Sequence, residues 1–205
     1  ISSFRVVAAE GEVASAASAV ALARSGEVAS LMKGDLHTDH LLRAVLNKTQ
    51  GLRCTDNRLS HVFHMTIPGS GAALCITDGA INVQPDVDTK IHIARNAIEL
   101  LHRLGNAVPK VAVLSATEQE TDAIPSSIDA ANLVQRAEQE LPGALVDGPF
   151  ALDIAVSPEA ARIKGVHSEV AGRADVLLVP NIETGNALFK QMVYFMSAAA
   201  AGIVL

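Results

Sequence analysis

The chain has 205 residues, enough for one large domain or two small ones with a sizeable core. Hydrophobic residues make up 49% of it and aromatic residues only 3%, a composition typical of layered α/β proteins with aliphatic parallel strands. The net charge of −6 argues against a nucleic-acid partner, and two cysteines are too few for a disulfide framework, which predicts a cytoplasmic protein.

The predicted elements alternate between strands and helices along most of the chain. The first half is expected to contain a strand over 4–9, a helix over 12–26 that stops at Gly26, and a strand over 28–32. Next are expected a helix that Thr38 or Asp39 caps and that reaches about Lys48, and a hairpin of strands 61–67 and 72–77 around "PGSG". The second half is expected to contain a helix near 88–104, a strand over 110–116, helices near 127–141 and 158–164, a strand over 174–180 and a helix from about Thr184. This alternation predicts an α/β fold with a mostly parallel sheet, and the hairpin marks a passage between domains.

The most apolar stretch, "MVYFMSAAAAGIVL", ends the sequence. It is shorter than the roughly 20 residues that a membrane-spanning helix needs, so no membrane partner is expected. We interpret it as a buried helix that leads to a strand. Both ends of the sequence interrupt a pattern, and we expect a longer protein.

The stretch "LMKGDLHTDHLLRAVL" carries the densest set of functional side chains. His37 and His40 lie three residues apart beside Asp35 and Asp39, which raises the question of a metal site. Helical zinc motifs space their histidines four apart and add a third ligand, and no such ligand cluster is visible elsewhere in the sequence. We therefore expect no metal here.

An anion site fits the same stretch better. A strand that leads through Lys33 and Gly34 into a helix start presents backbone N–H groups and the positive end of the helix dipole to an anion. Thr38 adds a hydroxyl, and Arg43 lies one turn further with a guanidinium suited to phosphate. The alternative is that Asp39 and Arg43 form only an i, i+4 surface ion pair, and the spacing alone leaves both interpretations open.

Four motifs follow one another along most of the chain: "LMKGDLHTDHLLRAV", "RLSHVFHMTIPGSGAALCITDGAINVQPD", "PKVAVLSATE" and "GPFALDIAVSPEAARIKG…SEVAGRADVLLVPNIETGNALFKQ". In their sequence, order and spacing they resemble the phosphate acetyl/butyryltransferase family. The nearest branch is the one in which this module is fused to an enoyl-CoA hydratase.

The resemblance implies reversible transfer of an acetyl or butyryl group between CoA and orthophosphate. It implies two α/β domains of the isocitrate/isopropylmalate dehydrogenase type with a cleft between them, a homodimer, and no cofactor apart from CoA as a substrate. Residues 1–54 would belong to the first domain and residues 55–205 to the second. Arg43 would be catalytic, and Lys33, Thr38, Asn186 and Lys190 would bind substrate.

One part of the family pattern is missing from this sequence. The family's catalytic Ser-Arg pair and following acid come after a "GIVLG" strand, and this sequence stops at "GIVL". An upstream substrate-binding arginine would precede Ile1. We therefore expect these 205 residues to bind substrate without turning it over.

Several residues and functions keep an alternative interpretation. Asn186 could cap a helix instead of binding substrate, and Lys190 could face solvent. Asp78 could be an exposed acid in the cleft or could fix a turn, and Asp153 could touch substrate or could be a buried hydrogen-bond acceptor. A catalytically silent module that binds acyl-CoA or acyl phosphate is one competing function. A decarboxylating dehydrogenase is another, but "GSGAAL" lacks the third glycine of a dinucleotide site.

Overall fold

A computed structural model describes residues 4–53, 58–69 and 73–205. The chain divides into two compact units, 1–57 and 58–205, which we describe separately. Cys54 and the hairpin residues 70–72 lie outside the described residues. The predicted domain boundary at 54/55 stays a prediction.

The first unit is built on two helices, α1 (Gly11–Arg24) and α2 (Thr38–Val45). α1 buries Ala16 and Val20 and is followed by Gly26, whose φ of 78° is the left-handed conformation expected of a helix-terminating glycine. The strands predicted over 4–9 and 28–32 were wrong, since these described residues form no strand. An aliphatic run becomes a strand only when a neighbouring strand pairs with its backbone, and the described part of this unit supplies none.

The second unit is an α/β layer structure around a mixed sheet. Its strands are β1 (His61–Thr66), β2 (Ala73–Thr77), β3 (Lys110–Leu114), β4 (Leu145–Phe150), β5 (Val176–Leu178) and β6 (Ala199–Val204). Its helices are α3 (Val87–Arg103), α4 (Pro125–Glu140), α5 (Leu152–Val156), α6 (Pro158–Ile163) and α7 (Ile182–Met196). None of the helices in the described residues is long and apolar enough to cross a membrane.

The strand order in the described part of the sheet is β4-β3-β5-β2-β1-β6. The first four strands pair in parallel, whereas β1 pairs antiparallel with both β2 and β6. The α/β class, the mostly parallel sheet and the antiparallel pairing of the hairpin strands are therefore confirmed. The final stretch is a helix leading to a strand, as predicted, but the end of α7 is not buried, because Tyr194 and Phe195 are 80% and 85% exposed.

Alternation along the strands builds a core on each face of the sheet. Val111 and Val113 of β3 pack into the core formed with α3 and α4, whereas Ala112 and Leu114 pack into the core formed with α5, α6 and α7. This follows from the two-residue period of a strand, which sends successive side chains to opposite faces. The helices cover both faces of the sheet and leave the carboxyl ends of the parallel strands to carry functional loops.

Candidate functional site

The predicted anion loop lies in the first unit. Thr38 is the first residue of α2, but the N-cap is His37, and it makes no side-chain capping bond. The predicted cap at Thr38 or Asp39 was therefore wrong, as was the extension of the helix to Lys48. Lys33 Nζ donates to the carbonyl oxygens of Leu36 at 2.8 Å and Gly34 at 3.2 Å, so its ammonium lies against the loop that leads into α2.

Arg43 lies in the last turn of α2 and forms the ion pair that its spacing suggested. Its guanidinium is 3.6 Å from Asp39 Oδ2, beyond hydrogen-bonding distance, and its side chain is 79% exposed. Such a solvated pair contributes little to stability. The guanidinium is therefore not committed to Asp39 and is accessible to a dissolved anion.

The structure adds to this loop a residue that sequence spacing did not indicate. Glu12, in the first turn of α1, accepts the backbone N–H of His37 at 2.9 Å, and its carboxylate lies 2.9 Å from His37 Nδ1 and 2.8 Å from His40 Nδ1. These hydrogen bonds, first that of the His37 backbone, lower the pKa of Glu12 to about 2. The carboxylate is consequently ionised at neutral pH. We refer to Glu12, His37 and His40 as the EHH cluster.

A second group of predicted residues lies at the carboxyl end of β2 and the start of α7, in the second unit. The N-cap of α7 is Asn181, whose side chain accepts the Thr184 N–H at 3.0 Å. The capping interpretation of Asn186 was therefore wrong. Asn186 is half-buried in the second turn, and its Nδ2 donates to the Gly79 carbonyl at 3.4 Å, while Lys190 is exposed one turn further on.

Close backbone packing holds this region together. A Cβ atom at Gly185 would lie 2.6 Å from the Asp78 carbonyl oxygen and 2.9 Å from Gly79 Cα. Only glycine lets α7 approach the end of β2 this closely. The approach sets the position of Asn186, the next residue of the helix.

The contacts of Asp78 and Asp153 decide between the two interpretations of each residue. Asp78 is 2% exposed, and its Oδ1 accepts the N–H groups of Ala80 and Ile81 at 2.8 and 3.0 Å. It fixes the turn after β2 and is not an exposed acid. Asp153 is exposed, and the Lys164 ammonium 3.2 Å away lowers its pKa, so the expectation of a buried acceptor was wrong.

A cavity of about 560 Å³ lies between α1, α2 and the segment that follows α2 in the first unit. Its walls include Ala17, Val20 and Ala21 of α1, with Arg24, which donates to the Thr49 carbonyl, at one side. None of the predicted site residues lines this cavity. We assign it no catalytic role.

Cys75 is buried on β2, with 1% of its surface exposed. Burial, with a smaller contribution from Asp175, raises the pKa of its thiol to about 12. Since the thiolate is the nucleophile, Cys75 is expected to stay unmodified by iodoacetamide at pH 8 in the native protein and to react in guanidinium chloride. Peptide mass spectrometry measures both states, and native labelling of Cys75 would contradict the buried assignment.

Comparisons with known proteins agree on one family. The sequence model of the family described as "Phosphate acetyl/butaryl transferase" matches residues 5–205. A phosphate acetyltransferase of Rhizobium meliloti is 50% identical over 193 residues, which are 94% of this chain and 61% of that protein. A phosphate butyryltransferase of Clostridium acetobutylicum is 40% identical over 206 residues, which are 100% of this chain and 68% of that protein.

A solved structure extends the likeness to the fold. The crystal structure of a branched-chain phosphotransacylase from Enterococcus faecalis superposes with a TM-score of 0.92 at 35% identity, covering 98% of this chain and 72% of that one. By sequence, the chain spans 61% of the length of the Rhizobium meliloti relative, about three fifths of that protein.

Proposed function

Because this chain belongs to the phosphate acetyl/butyryltransferase family, we propose that it takes part in the family's reaction, the reversible transfer of a short acyl group between CoA and orthophosphate. The family match over residues 5–205 carries this proposal. Acyl-CoA and phosphate are the substrates, and acyl phosphate and free CoA are the products.

The first unit would supply the phosphate side of the reaction. Lys33 and Thr38 would hold phosphate at the start of α2, where the helix dipole and the N–H groups of the first turn favour an anion. The His37 N–H does not contribute, because it donates to Glu12. Binding would require Lys33 Nζ to leave the carbonyls of Leu36 and Gly34, to which it now donates. The Lys33 side chain can make this change without unfolding, because it is exposed and water can donate hydrogen bonds to the two carbonyls in its place.

Arg43 would act at the reacting atoms. Attack of phosphate on the thioester carbonyl passes through a tetrahedral oxyanion, and one preorganised donor to such an oxyanion is typically worth about 3–4 kcal/mol. Holding phosphate and thioester in line contributes more, up to about 7–11 kcal/mol in well-oriented systems. The Arg43 side chain is 79% exposed and is not held by Asp39, so substrate binding would have to fix the orientation of the guanidinium before it acts as such a donor.

The second unit would contribute Asn186 and Lys190. Asn186 Nδ2 has two N–H donors, of which one meets Gly79 O at 3.4 Å, so the other can donate to the acyl phosphate. Lys190 follows one turn later on the same helix face and would contact the phosphate.

The finer features implied by the family belong to the same proposal. They are a two-domain arrangement of the isocitrate/isopropylmalate dehydrogenase type with the reaction in its cleft, a homodimer, a cytoplasmic location, and acyl transfer without a metal or redox cofactor. The similarity to both an acetyltransferase and a butyryltransferase supports a short acyl group in general.

Asn186→Ala is expected to lower turnover several-fold while the protein stays folded. The variant removes the donor to the acyl phosphate together with a long hydrogen bond of 3.4 Å, which contributes little to stability. Steady-state kinetics and thermal unfolding measure the two effects. Asn181→Ala is the matched control, because it removes the cap of α7 and should cost about 1 kcal/mol of stability. Unchanged turnover in Asn186→Ala would remove this residue from the site.

The assay that tests the proposal follows thiol release from acetyl-CoA and butyryl-CoA with and without phosphate. It is run on residues 1–205 and on the longest natural form of the protein that contains them. Phosphate-dependent release is the expected result in the longest form. Binding of acyl-CoA without release in that form would favour the silent binding module.

A further inference from the structure

The EHH cluster gathers three metal-binding side chains at one point. One ligand atom from each of Glu12, His37 and His40 lies within 4.8 Å of the others. The donors come from the first turn of α1, the N-cap of α2 and the first turn of α2. Two helices therefore position the three groups, although Glu12 lies 25 residues before His37 in the sequence.

The donors converge in the way that a metal site requires. Both imidazoles turn their Nδ1 atoms to the same Glu12 oxygen, at 2.9 and 2.8 Å. Donors bound to Zn²⁺ at about 2.05 Å in tetrahedral geometry lie roughly 3.3 Å apart, so each of these two oxygen-to-nitrogen distances would grow by about half an ångström around the ion. His37 is the most exposed of the three, with 78% of its side chain in solvent, and leaves room for water to complete the coordination.

Neighbouring groups fit the same arrangement. The backbone N–H of His37 donates to Glu12 Oε2 and orients the carboxylate. Asp39 Oδ2 lies 3.9 Å from His40 Nε2, which is beyond hydrogen-bonding distance. A metal-bound imidazole commonly directs its second N–H to a carboxylate, so the His40 ring would have to move closer to Asp39 to gain that support.

We propose that the EHH cluster is a binding site for one divalent transition-metal ion of the zinc class, held by His37 Nδ1, His40 Nδ1 and the Glu12 carboxylate. Two imidazoles and one carboxylate suit Zn²⁺ and Co²⁺ better than Mg²⁺ or Ca²⁺, which prefer oxygen ligands. The ion is a structural clamp between α1 and α2 and takes no part in acyl transfer. This proposal replaces the expectation of no metal, which considered only His37, His40 and the nearby aspartates.

The bound ion would also restrain the loop that leads into α2. α2 begins at His37 and Thr38, so a fixed link from His37 to α1 restrains the segment between Lys33 and Thr38. A restrained loop loses less conformational freedom when a ligand binds. Metal binding should therefore protect the backbone amides of residues 34–40 from hydrogen exchange.

The test is a Zn²⁺ titration of the 205-residue protein against a chromophoric chelator at neutral pH. One equivalent is expected to bind, with affinity at least about tenfold weaker in His37→Ala and in Glu12→Gln. His167→Ala, an exposed histidine of the second unit, is the matched control and should leave affinity unchanged. Circular dichroism checks that each variant is folded.

Cobalt gives a readout that a folding defect cannot imitate. His40→Cys keeps a ligand at the same position and should add a thiolate-to-Co²⁺ charge-transfer band to the spectrum of the bound ion. Equal Zn²⁺ affinity in the wild type, His37→Ala and Glu12→Gln would mean an adventitious ion only. That result, or the absence of the cobalt band in His40→Cys, would overturn the proposal without affecting the proposed acyl transfer.

Discussion

Arg43→Ala is expected to lower acyl-transfer turnover at least about tenfold, equivalent to about 1.4 kcal/mol of transition-state stabilisation, with the fold unchanged. The expectation combines the role proposed for this arginine with its exposed guanidinium, which lies 3.6 Å from Asp39 and is not tied to it. Steady-state kinetics of phosphate-dependent thiol release, on the longest natural form of the protein, measures the effect.

Asp39→Ala is the matched control for Arg43→Ala. It abolishes the same ion pair but keeps the guanidinium, so a purely structural pair would make the two variants equivalent. We expect Asp39→Ala to retain turnover within a few-fold of the wild type. Arg43→Ala with normal turnover and slightly lower stability would show that Arg43 is only a surface ion-pair partner.

Gly185→Ala is expected to destabilise the second unit by about 3 kcal/mol, the upper end of the usual cost of overpacking. The new methyl group would lie 2.6 Å from Asp78 O and 2.9 Å from Gly79 Cα, and these backbone atoms cannot move aside by changing a rotamer. In an open helical position the same change would stabilise by about 0.5–1 kcal/mol, so the contacts determine the sign. A fall in melting temperature of about 6–12 °C corresponds to this cost.

Gly34→Ala serves as the open-space control, because a Cβ there meets nothing within 4 Å. It should change the melting temperature little. If Gly185→Ala is as stable as the wild type, α7 does not approach β2 as closely as described, and the position of Asn186 would need revision.

Sequence reasoning located the elements whose signals are local. α3 spans Val87–Arg103, close to the predicted 88–104, because an apolar period of 3.6 follows Asp86, whose side chain accepts the Thr89 N–H at 2.8 Å. The hairpin strands were found from alternation and turn residues. Both signals depend on neighbours a few positions apart, which a sequence displays directly.

Signals that depend on distant partners were missed or misread. The predicted elements do not include β4, whose Gly148 and Pro149 are typical of turns, although an edge strand tolerates proline. The residues over 4–9 and 28–32 have strand composition, but composition cannot show whether a pairing neighbour exists.

The candidate site likewise contains residues that the sequence indicated and a residue that only the structure places there. The run from Lys33 to Arg43 could be recognised as a unit because its functional side chains are close in sequence. Glu12 could not be assigned to it, since only the packing of α1 against α2 brings the carboxylate within 2.9 Å of His37 Nδ1. The alternative that Asn186 caps α7 was wrong, because Asn181 is the cap; asparagine suits a cap at either position, and only the backbone distinguishes them.

Formation of acyl phosphate is the direct test of acyl transfer to phosphate. The longest natural form of the protein is mixed with phosphate and either acetyl-CoA or butyryl-CoA, and ³¹P NMR follows the products. We expect acyl phosphate and free CoA to appear in equal amounts and the reaction to run backwards when both are supplied. Free CoA without acyl phosphate would indicate hydrolysis, and tight binding of acyl-CoA without either product would indicate a binding module; either result would contradict acyl transfer to phosphate.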